Sequence, residues 1–142
     1  PSFGSTRGSL YDLFENKHPT IQKLAVDLKS ILVKVFKSDI FIIDSFFSIF
    51  GAGGGTIRHT HLTKEDKDST FDLGKQKYSL VYYLSIGDQE CLEPGFLKFY
   101  EPNEKILPKK GMITIFPANR HHSSLYGGNK DRVIVGANFY KL

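Results

Sequence analysis

The stretch Ile57-Arg58-His59-Thr60-His61 decides how this chain is organised, together with Arg120-His121-His122-Ser123 much later in the sequence. Four of the five histidines lie in these two places. Neutral imidazole is the commonest metal ligand in proteins, and two histidines one residue apart on an extended segment point to the same side. A third histidine from a distant strand then closes one face of a coordination sphere. The pattern predicts a mononuclear metal site, with the rest of the chain as its scaffold.

Length and composition indicate one folded domain over residues 1–142. The chain has 142 residues, of which 40% are hydrophobic and 13% aromatic, enough to bury a core. No apolar run has the length that a membrane span requires, so we expect no membrane association. The single cysteine, Cys91, can form no internal disulfide, which favours a reducing, cytoplasmic setting.

The net charge of +4 is spread along the chain. The arginines are far apart in sequence, and the lysines are scattered between them. Proteins that bind nucleic acid more often concentrate such residues on one face, among aromatic side chains. We therefore expect a solvated basic surface and do not expect nucleic acid as a partner.

Residues 1–38 are predicted to be a helical lead-in. Ser9 is expected to cap a short turn, and a longer helix begins at Pro19-Thr20, with apolar residues at the three-and-four spacing of one buried face. From residue 39 to residue 142 the chain is rich in β-branched and aromatic residues between turn signals, which is typical of an antiparallel sandwich or barrel. The polar segment 63–77 is predicted to be a loop. The predicted strands are residues 40–50, 56–62, 78–86, 95–100, 111–116 and 132–140.

Several motifs of the second half occur in an order that resembles a known family. Phe116-Pro117, then His122-Ser123, then Arg132 resemble the C-terminal signature of the 2-oxoglutarate- and iron(II)-dependent dioxygenases, with the prolyl-hydroxylase-like branch the most similar. Residues 81–84, 94–99 and 108–111 resemble strands and turns that surround the two halves of that family's site. The resemblance extends over about residues 39–140. It implies a mainly β fold, a double-stranded β-helix (jelly roll) under an N-terminal helical cover, with the metal in its mouth.

The resemblance implies that iron(II) is the metal. His59 matches the family's first iron ligand and His122 its distal one. His121 competes with His122 for the distal position, but the register from Phe116-Pro117 favours His122. Adjacent residues of a strand face opposite sides, so at most one of this pair should point at the metal.

The resemblance also implies a binding site for 2-oxoglutarate. Arg132 matches the residue that binds the far carboxylate of this co-substrate, and a guanidinium suits that role because its fork makes two parallel charge-assisted hydrogen bonds. Tyr83 matches a position whose hydroxyl assists the same carboxylate. Strand alternation places Asn138 on the same face as Arg132, with room left by the small Gly136, so Asn138 is a candidate for a hydrogen bond near the metal.

The metal motif departs from the family pattern in one place. The family's usual triad is His-x-Asp with a distal histidine, whereas this chain has His61 in place of the aspartate. Three interpretations remain open: His61 is itself the third ligand, or Glu65, Asp66 or Asp68 supplies a carboxylate, or iron binding is weakened and the protein is not an oxygenase.

The favoured hypothesis is an iron(II)- and 2-oxoglutarate-dependent oxygenase that uses molecular oxygen to hydroxylate a peptide or small molecule. One alternative is a cupin-type metalloprotein with a three-histidine site, because Gly53, His59, His61 and Glu65 resemble the first cupin motif. The second cupin motif does not match, because His122 lies well past the turn at Gly111. The other alternative is a noncatalytic jelly-roll binding module.

Overall fold

The segment from Ile40 to Phe50 forms the first long strand, as its β-branched and aromatic residues predict. The computed structural model of the chain describes residues 2–68, without the side chain of Asp68, and residues 73–142. The strands are β1 (Ser2–Phe3), β2 (Thr6–Gly8), β3 (Ile40–Phe50), β4 (Gly54–His59), β5 (Lys77–Ser85), β6 (Pro94–Phe99), β7 (Glu104–Ile106), β8 (Ile113–Pro117), β9 (His122–Tyr126) and β10 (Arg132–Lys141).

These strands build two five-stranded sheets with a cavity between them. The first sheet has the order β1-β4-β9-β6-β7, and the second has the order β2-β3-β10-β5-β8. Every pair of these strands is antiparallel. From β3 to β10 the chain crosses between the sheets at most of its connections, which is the arrangement of a double-stranded β-helix. The predicted fold class is confirmed.

Helix α1 (Pro19–Phe36) covers the second sheet on the side away from the cavity. Its buried residues Leu28 and Leu32 pack against Leu80 and Phe139 of the sheet. The helix begins where predicted, because Pro19 needs no hydrogen-bonded N–H in the first turn and the His18 ring accepts the Thr20 N–H at 3.2 Å. No helix in the described part of the chain is long and apolar enough to span a membrane.

The prediction of a helical lead-in is wrong for the first residues. β1 pairs with β4 of the first sheet, and β2 pairs with β3 of the second sheet. Ser9 caps no helical turn, because its hydroxyl donates to the Leu10 carbonyl and accepts the Phe47 N–H, and the short helical turn is a 3₁₀ helix at Leu13–Glu15. β1 and β2 pair with exposed edges of the two sheets, which supply backbone hydrogen-bond partners in place of water. In so short a segment these hydrogen bonds outweigh the local helix propensity.

The prediction of a loop over residues 63–77 is also wrong in part. Two short helices lie there, α2 (Lys64–Asp68) and α3 (Leu73–Gln76). α2 begins with a capping box, in which the Thr63 hydroxyl accepts the Asp66 N–H at 3.3 Å and the Asp66 carboxylate accepts the Thr63 N–H at 2.9 Å. The polar composition of the segment therefore includes a helix start signal.

The carboxylate of Asp66 is buried and forms an ion pair with the buried ammonium of Lys77 at 2.9 Å. It also accepts hydrogen bonds from the hydroxyls of Thr63 and Tyr140. Burial disfavours the charged form, but the hydrogen bonds from Thr63, Tyr140 and Lys77 outweigh it and lower the pKa of Asp66 to about 2. Asp66 is therefore ionised in the folded protein at any pH above that value.

The depressed pKa of Asp66 predicts how stability depends on pH. A carboxylate whose pKa is lower in the folded state stabilises fully above its unfolded pKa of 3.8, and this contribution is lost as the pH falls through about 2. Asp66→Asn leaves Lys77 buried without a counter-charge and should lower the free energy of unfolding at pH 7 by about 3 kcal/mol. Urea unfolding at pH 7 and pH 3 should show a smaller loss of stability for the variant than for the parent. The control is Glu65→Gln, an exposed neighbour on the same helix, and equal pH dependence in both variants would contradict the prediction.

Candidate metal centre

Strand pairing brings two of the predicted ligands together. His59 of β4 and His122 of β9 are direct partners across the first sheet, and their ring centres lie 4.2 Å apart. β4 ends at His59, three residues earlier than predicted, and His61 lies just beyond its end. The ring centre of His61 lies 4.8 Å from that of His122. One nitrogen atom from each of the three rings lies within 4.8 Å of the other two. The three predicted histidines therefore form one cluster.

Backbone carbonyls determine which ring nitrogens remain free. Nδ1 of His59 lies 2.6 Å from the Ile57 carbonyl oxygen, and Nδ1 of His122 lies 3.0 Å from the Arg120 carbonyl oxygen. Because a carbonyl oxygen only accepts, each Nδ1 must hold the proton and donate it. The Nε2 lone pairs of both rings are then available for a metal ion. A metal-bound histidine is usually oriented in this way, by a hydrogen bond from its other ring nitrogen.

The spacing of His61 and His122 matches that of two ligands on one ion. Their Nε2 atoms are 3.0 Å apart. Two imidazole nitrogens at about 2.1 Å from a metal and at right angles to each other are separated by about 3 Å. The whole cluster is wider, up to 4.8 Å, so the three nitrogens would have to move closer together to bind one ion as a facial set.

The surroundings of the cluster keep the three rings neutral. Burial lowers the pKa of His61 to about 3, with further contributions from His122, His59 and Lys77. Burial also lowers the pKa of His122 to about 4 and lowers that of His59. Neutral imidazole is the form that donates a lone pair to a metal, so the cluster is ready to bind a cation near neutral pH.

The structure also places the competing ligands. His122 is buried whereas His121 is exposed, as strand alternation predicts. Glu65 is exposed, and the Asp66 carboxylate is engaged by Lys77, Thr63 and Tyr140. The side chain of Asp68 lies outside the described residues. In the part of the chain that the structure describes, the three-residue cluster of candidate ligands consists of histidines alone.

The cluster opens into a cavity of about 350 Å³ between the two sheets. A volume of this size is in the range of small-molecule sites. All three histidines line it, together with Arg132 and Tyr83. The remaining wall is largely apolar and includes Phe46, Phe50, Val81, Leu97, Tyr126 and Ile134.

Arg132 is a buried cation on the cavity wall without an ion pair among the described residues. Its guanidinium donates to the carbonyl oxygens of Gly95 at 2.7 Å, Pro94 at 2.6 Å and Ile86 at 3.2 Å, and it lies 4.8 Å from the ring centre of Tyr126. These contacts fix its direction and leave two of its five N–H groups for another acceptor. They do not neutralise its charge. An anionic group in the cavity would do so.

Tyr83 lies beside this guanidinium, with its ring centre 6.0 Å away. Burial raises the pKa of Tyr83 to about 12, although the charge of Arg132 acts in the opposite direction. The hydroxyl therefore keeps its proton at neutral pH and is able to donate a hydrogen bond.

Asn138 does not line the cavity. Its amide oxygen accepts from the Ser79 hydroxyl at 2.6 Å, and its amide nitrogen donates to the Asp44 carboxylate at 2.7 Å. Gly136 leaves no open space either, because a Cβ atom there would lie 2.4 Å from the ring of Phe46. Strand alternation predicts the face on which these residues lie, but not which neighbours fill the space in front of them.

Gly95 is constrained by its contact with Arg132, which the sequence motif did not predict. Its φ is +90°, and a Cβ atom there would lie 2.2 Å from the guanidinium of Arg132. The sequence predicts Gly95 only as the first residue of a strand, within the segment 94–99 that resembles the family. The constraint on Gly95 comes from the close approach of the buried Arg132 side chain. This contact depends on how the strands are arranged and cannot be predicted from the local sequence.

Fold and site together define a double-stranded β-helix protein with a three-histidine candidate metal centre in its mouth. No protein-family model and no curated protein sequence matches the chain. Among solved structures the chain is similar to HygX from Streptomyces hygroscopicus, which was solved with nickel and 2-oxoglutarate bound. The TM-score is 0.71 at 14% identity, over 96% of this chain and 70% of HygX.

Two further solved structures are similar to this chain in fold. A prolyl hydroxylase from Trichoplax adhaerens, in complex with a peptide fragment of the hypoxia-inducible factor oxygen degradation domain, has a TM-score of 0.69 at 15% identity over 96% of this chain. The chain spans 63% of that protein, less than two thirds of its length. A predicted oxalate decarboxylase from Thermotoga maritima has a TM-score of 0.53 at 15% identity, over 99% of this chain and 84% of that one. The predicted resemblance to the 2-oxoglutarate- and iron(II)-dependent oxygenases is confirmed in the fold.

The exposure difference between His121 and His122 predicts unequal effects on metal binding. His122→Ala removes one of three candidate ligands and should weaken manganese(II) binding at least 10-fold in an isothermal titration. His121→Ala removes an exposed neighbouring imidazole and should leave the dissociation constant within about twofold of the parent value. Equal weakening by both variants would show that His122 is not a ligand.

The contact between Gly95 and Arg132 predicts an unusual cost for a single methyl group. Gly95→Ala combines backbone strain at a positive φ with a collision at the guanidinium, and should lower the free energy of unfolding by about 3 kcal/mol. Gly111→Ala is the matched control, because Gly111 has a similar φ of +81° and nothing within 4 Å of the added atom. Its cost should stay near 1 kcal/mol, about the cost of the backbone strain alone. Similar urea midpoints for the two variants would contradict the contact.

Proposed function

We propose that this protein is an iron(II)- and 2-oxoglutarate-dependent oxygenase that hydroxylates a peptide or a small molecule. One observation supports the proposal above all: a cluster of three neutral histidines lines the same cavity as a buried guanidinium that has no ion pair among the described residues. The first is suited to a divalent cation, and the second is suited to the free carboxylate of a dicarboxylic acid. A co-substrate that binds a metal at one end and has a carboxylate at the other would satisfy both.

His59, His61 and His122 would hold the iron, and they fit it. A facial set of three protein ligands leaves positions open for a chelating co-substrate and for oxygen. His61 takes the position at which the family that the sequence resembles has an aspartate. Three neutral ligands leave the full charge of the cation uncompensated, so the anionic co-substrate adds more to metal binding here than it would beside a carboxylate ligand.

Arg132 and Tyr83 would bind the far carboxylate of 2-oxoglutarate. The guanidinium is held in place by the carbonyls of Ile86, Pro94 and Gly95, so little conformational entropy is lost when the anion binds. The protonated hydroxyl of Tyr83 supplies a further donor. Asn138, which the sequence suggested for this region, is not included because it is engaged by Ser79 and Asp44.

When bound, iron and 2-oxoglutarate supply oxidative decarboxylation of the co-substrate coupled to hydroxylation of the substrate by molecular oxygen. The protein's own contribution is positioning and the exclusion of water. The apolar wall formed by Phe46, Val81, Leu97 and Ile134 limits solvent around the reacting atoms. The cavity of about 350 Å³ has room for the co-substrate and for one small group of the substrate, such as an amino-acid side chain. The peptide bound to the Trichoplax adhaerens enzyme supports a peptide as one class of substrate.

A cupin-type metalloprotein is the second candidate, and the all-histidine composition of the cluster favours it. Such a protein would bind a metal but would have no need of a buried arginine on the cavity wall. The cytoplasmic setting and the single domain over residues 1–142 stay predictions from the sequence.

Thermal unfolding with manganese(II), with and without 2-oxoglutarate, tests the proposal. A ligand that binds only the folded state stabilises it by about 2.7 kcal/mol when its concentration is 100 times the dissociation constant. We expect a shift with the metal and a larger shift when 2-oxoglutarate is added. Arg132→Lys keeps the charge but loses the planar fork and should abolish the second shift alone. The control is Arg7→Ala, which removes an exposed arginine that also lines the cavity.

Each other outcome has a defined meaning. A shift with the metal but none with 2-oxoglutarate supports the cupin-type alternative. No shift with either ligand supports a noncatalytic binding module. If Arg7→Ala removes the 2-oxoglutarate shift and Arg132→Lys leaves it intact, the carboxylate binds to Arg7, and its assignment to Arg132 is wrong.

A further inference from the structure

We propose that Asp66 is a positioning residue of the metal centre, which fixes His61 by tying the segment after it to β5 and β10. The inference rests on the proposed role of His61 as a metal ligand. It assigns to Asp66 a function other than the one considered from the sequence, where its carboxylate was a candidate for the metal itself.

His61 lies beyond the end of β4, so other segments of the chain must hold its backbone in place. β4 ends at His59, so the ladder between β4 and β9 does not hold the residues that follow. The N–H of His61 instead donates to the Ala118 carbonyl at 2.8 Å, and the N–H of Ala118 donates to the Lys77 carbonyl at 3.0 Å. The backbone of His61 is therefore connected through Ala118 to the first residue of β5.

Asp66 closes the same connection from the other side. One of its carboxylate oxygens accepts the N–H and the hydroxyl of Thr63, at 2.9 and 3.0 Å, and the ammonium of Lys77 at 2.9 Å. Its other oxygen accepts the hydroxyl of Tyr140 in β10. Thr63 is only two residues beyond His61. The contacts form a closed ring that runs from His61 through Thr63, Asp66, Lys77 and Ala118 back to His61.

Charge gives the carboxylate a second effect on the site. The Lys77 ammonium has the same sign as a metal ion, and the backbone of Lys77 is joined to that of His61 through Ala118. Asp66 compensates this charge through an ion pair whose two side chains are almost fully buried. Removing the Asp66 carboxylate would thus release the segment after His61 and leave the positive charge of Lys77 unbalanced near the proposed metal site.

Manganese(II) binding to variants of the full chain tests the inference. Asp66→Asn should raise the dissociation constant about 10-fold or more, the usual range for groups that orient a ligand from behind. Tyr140→Phe removes only the hydroxyl and should have a smaller effect in the same direction, and it serves as the test if Asp66→Asn does not fold. The control is Leu28→Ala, which destabilises the core under α1 away from the cavity and should leave the dissociation constant unchanged in the folded protein.

A second measurement needs no metal and separates positioning from a purely structural role. Hydrogen exchange of the His61 amide in the metal-free protein should be faster in Asp66→Asn and Tyr140→Phe than in the parent, by more than the loss of global stability in each variant accounts for. In Leu28→Ala it should change no more than the global stability does. If the parent protein binds no manganese(II), the proposed function fails, and the exchange rate of His61 still decides whether Asp66 holds it. Unchanged exchange in both Asp66 and Tyr140 variants would overturn the inference, even if metal binding were weaker.

Discussion

The antiparallel pairing of β4 with β9 is the interaction on which the site depends. It places His59 directly opposite His122, although the two residues are far apart in sequence. In an antiparallel pair the side chains of partner residues lie on the same face, so a single register decides that both rings enter the cavity. A slip by one residue would turn every side chain of one strand to the other face, and the pair of candidate ligands would be separated. The fold and the histidine cluster are thus specified by the same backbone hydrogen bonds.

A second constraint comes from charge inside the cavity. Arg132 is held by three carbonyl oxygens, which satisfy part of its hydrogen-bonding capacity but leave its charge in place. Burial of a lone cation costs free energy, and a protein retains such a group where a ligand of opposite charge compensates it. Lys77, the other buried lysine or arginine among the described residues, has its carboxylate partner in Asp66. This contrast supports the proposed role of Arg132 in binding an anionic ligand, whereas Lys77 is neutralised within the scaffold.

Local patterns in the sequence predicted those parts of the molecule that local physics determines. Helix α1 begins at Pro19 because its capping residue and its periodicity lie within a few residues of one another. β9 was missed because His122–Tyr126 is a short segment with two serines, and only its position between β4 and β6 makes it a strand. Asn138 was placed on the correct strand, but Ser79 and Asp44, which bind it, come from neighbouring strands. The three histidines were predictable as a group because the chemistry of imidazole is independent of the fold around it.

The first residues of the chain have a consequence for how such a protein can change. β1 and β2 attach to different sheets, and Ser2, Thr6 and Ser9 of this segment form part of the cavity wall. None of these residues touches the chemistry assigned to the histidines or to the buried arginine. Mutations in this short segment would therefore change the wall of the cavity while the three histidines and the buried arginine stay in place. Selection can in this way alter which molecule fits the cavity without changing those side chains.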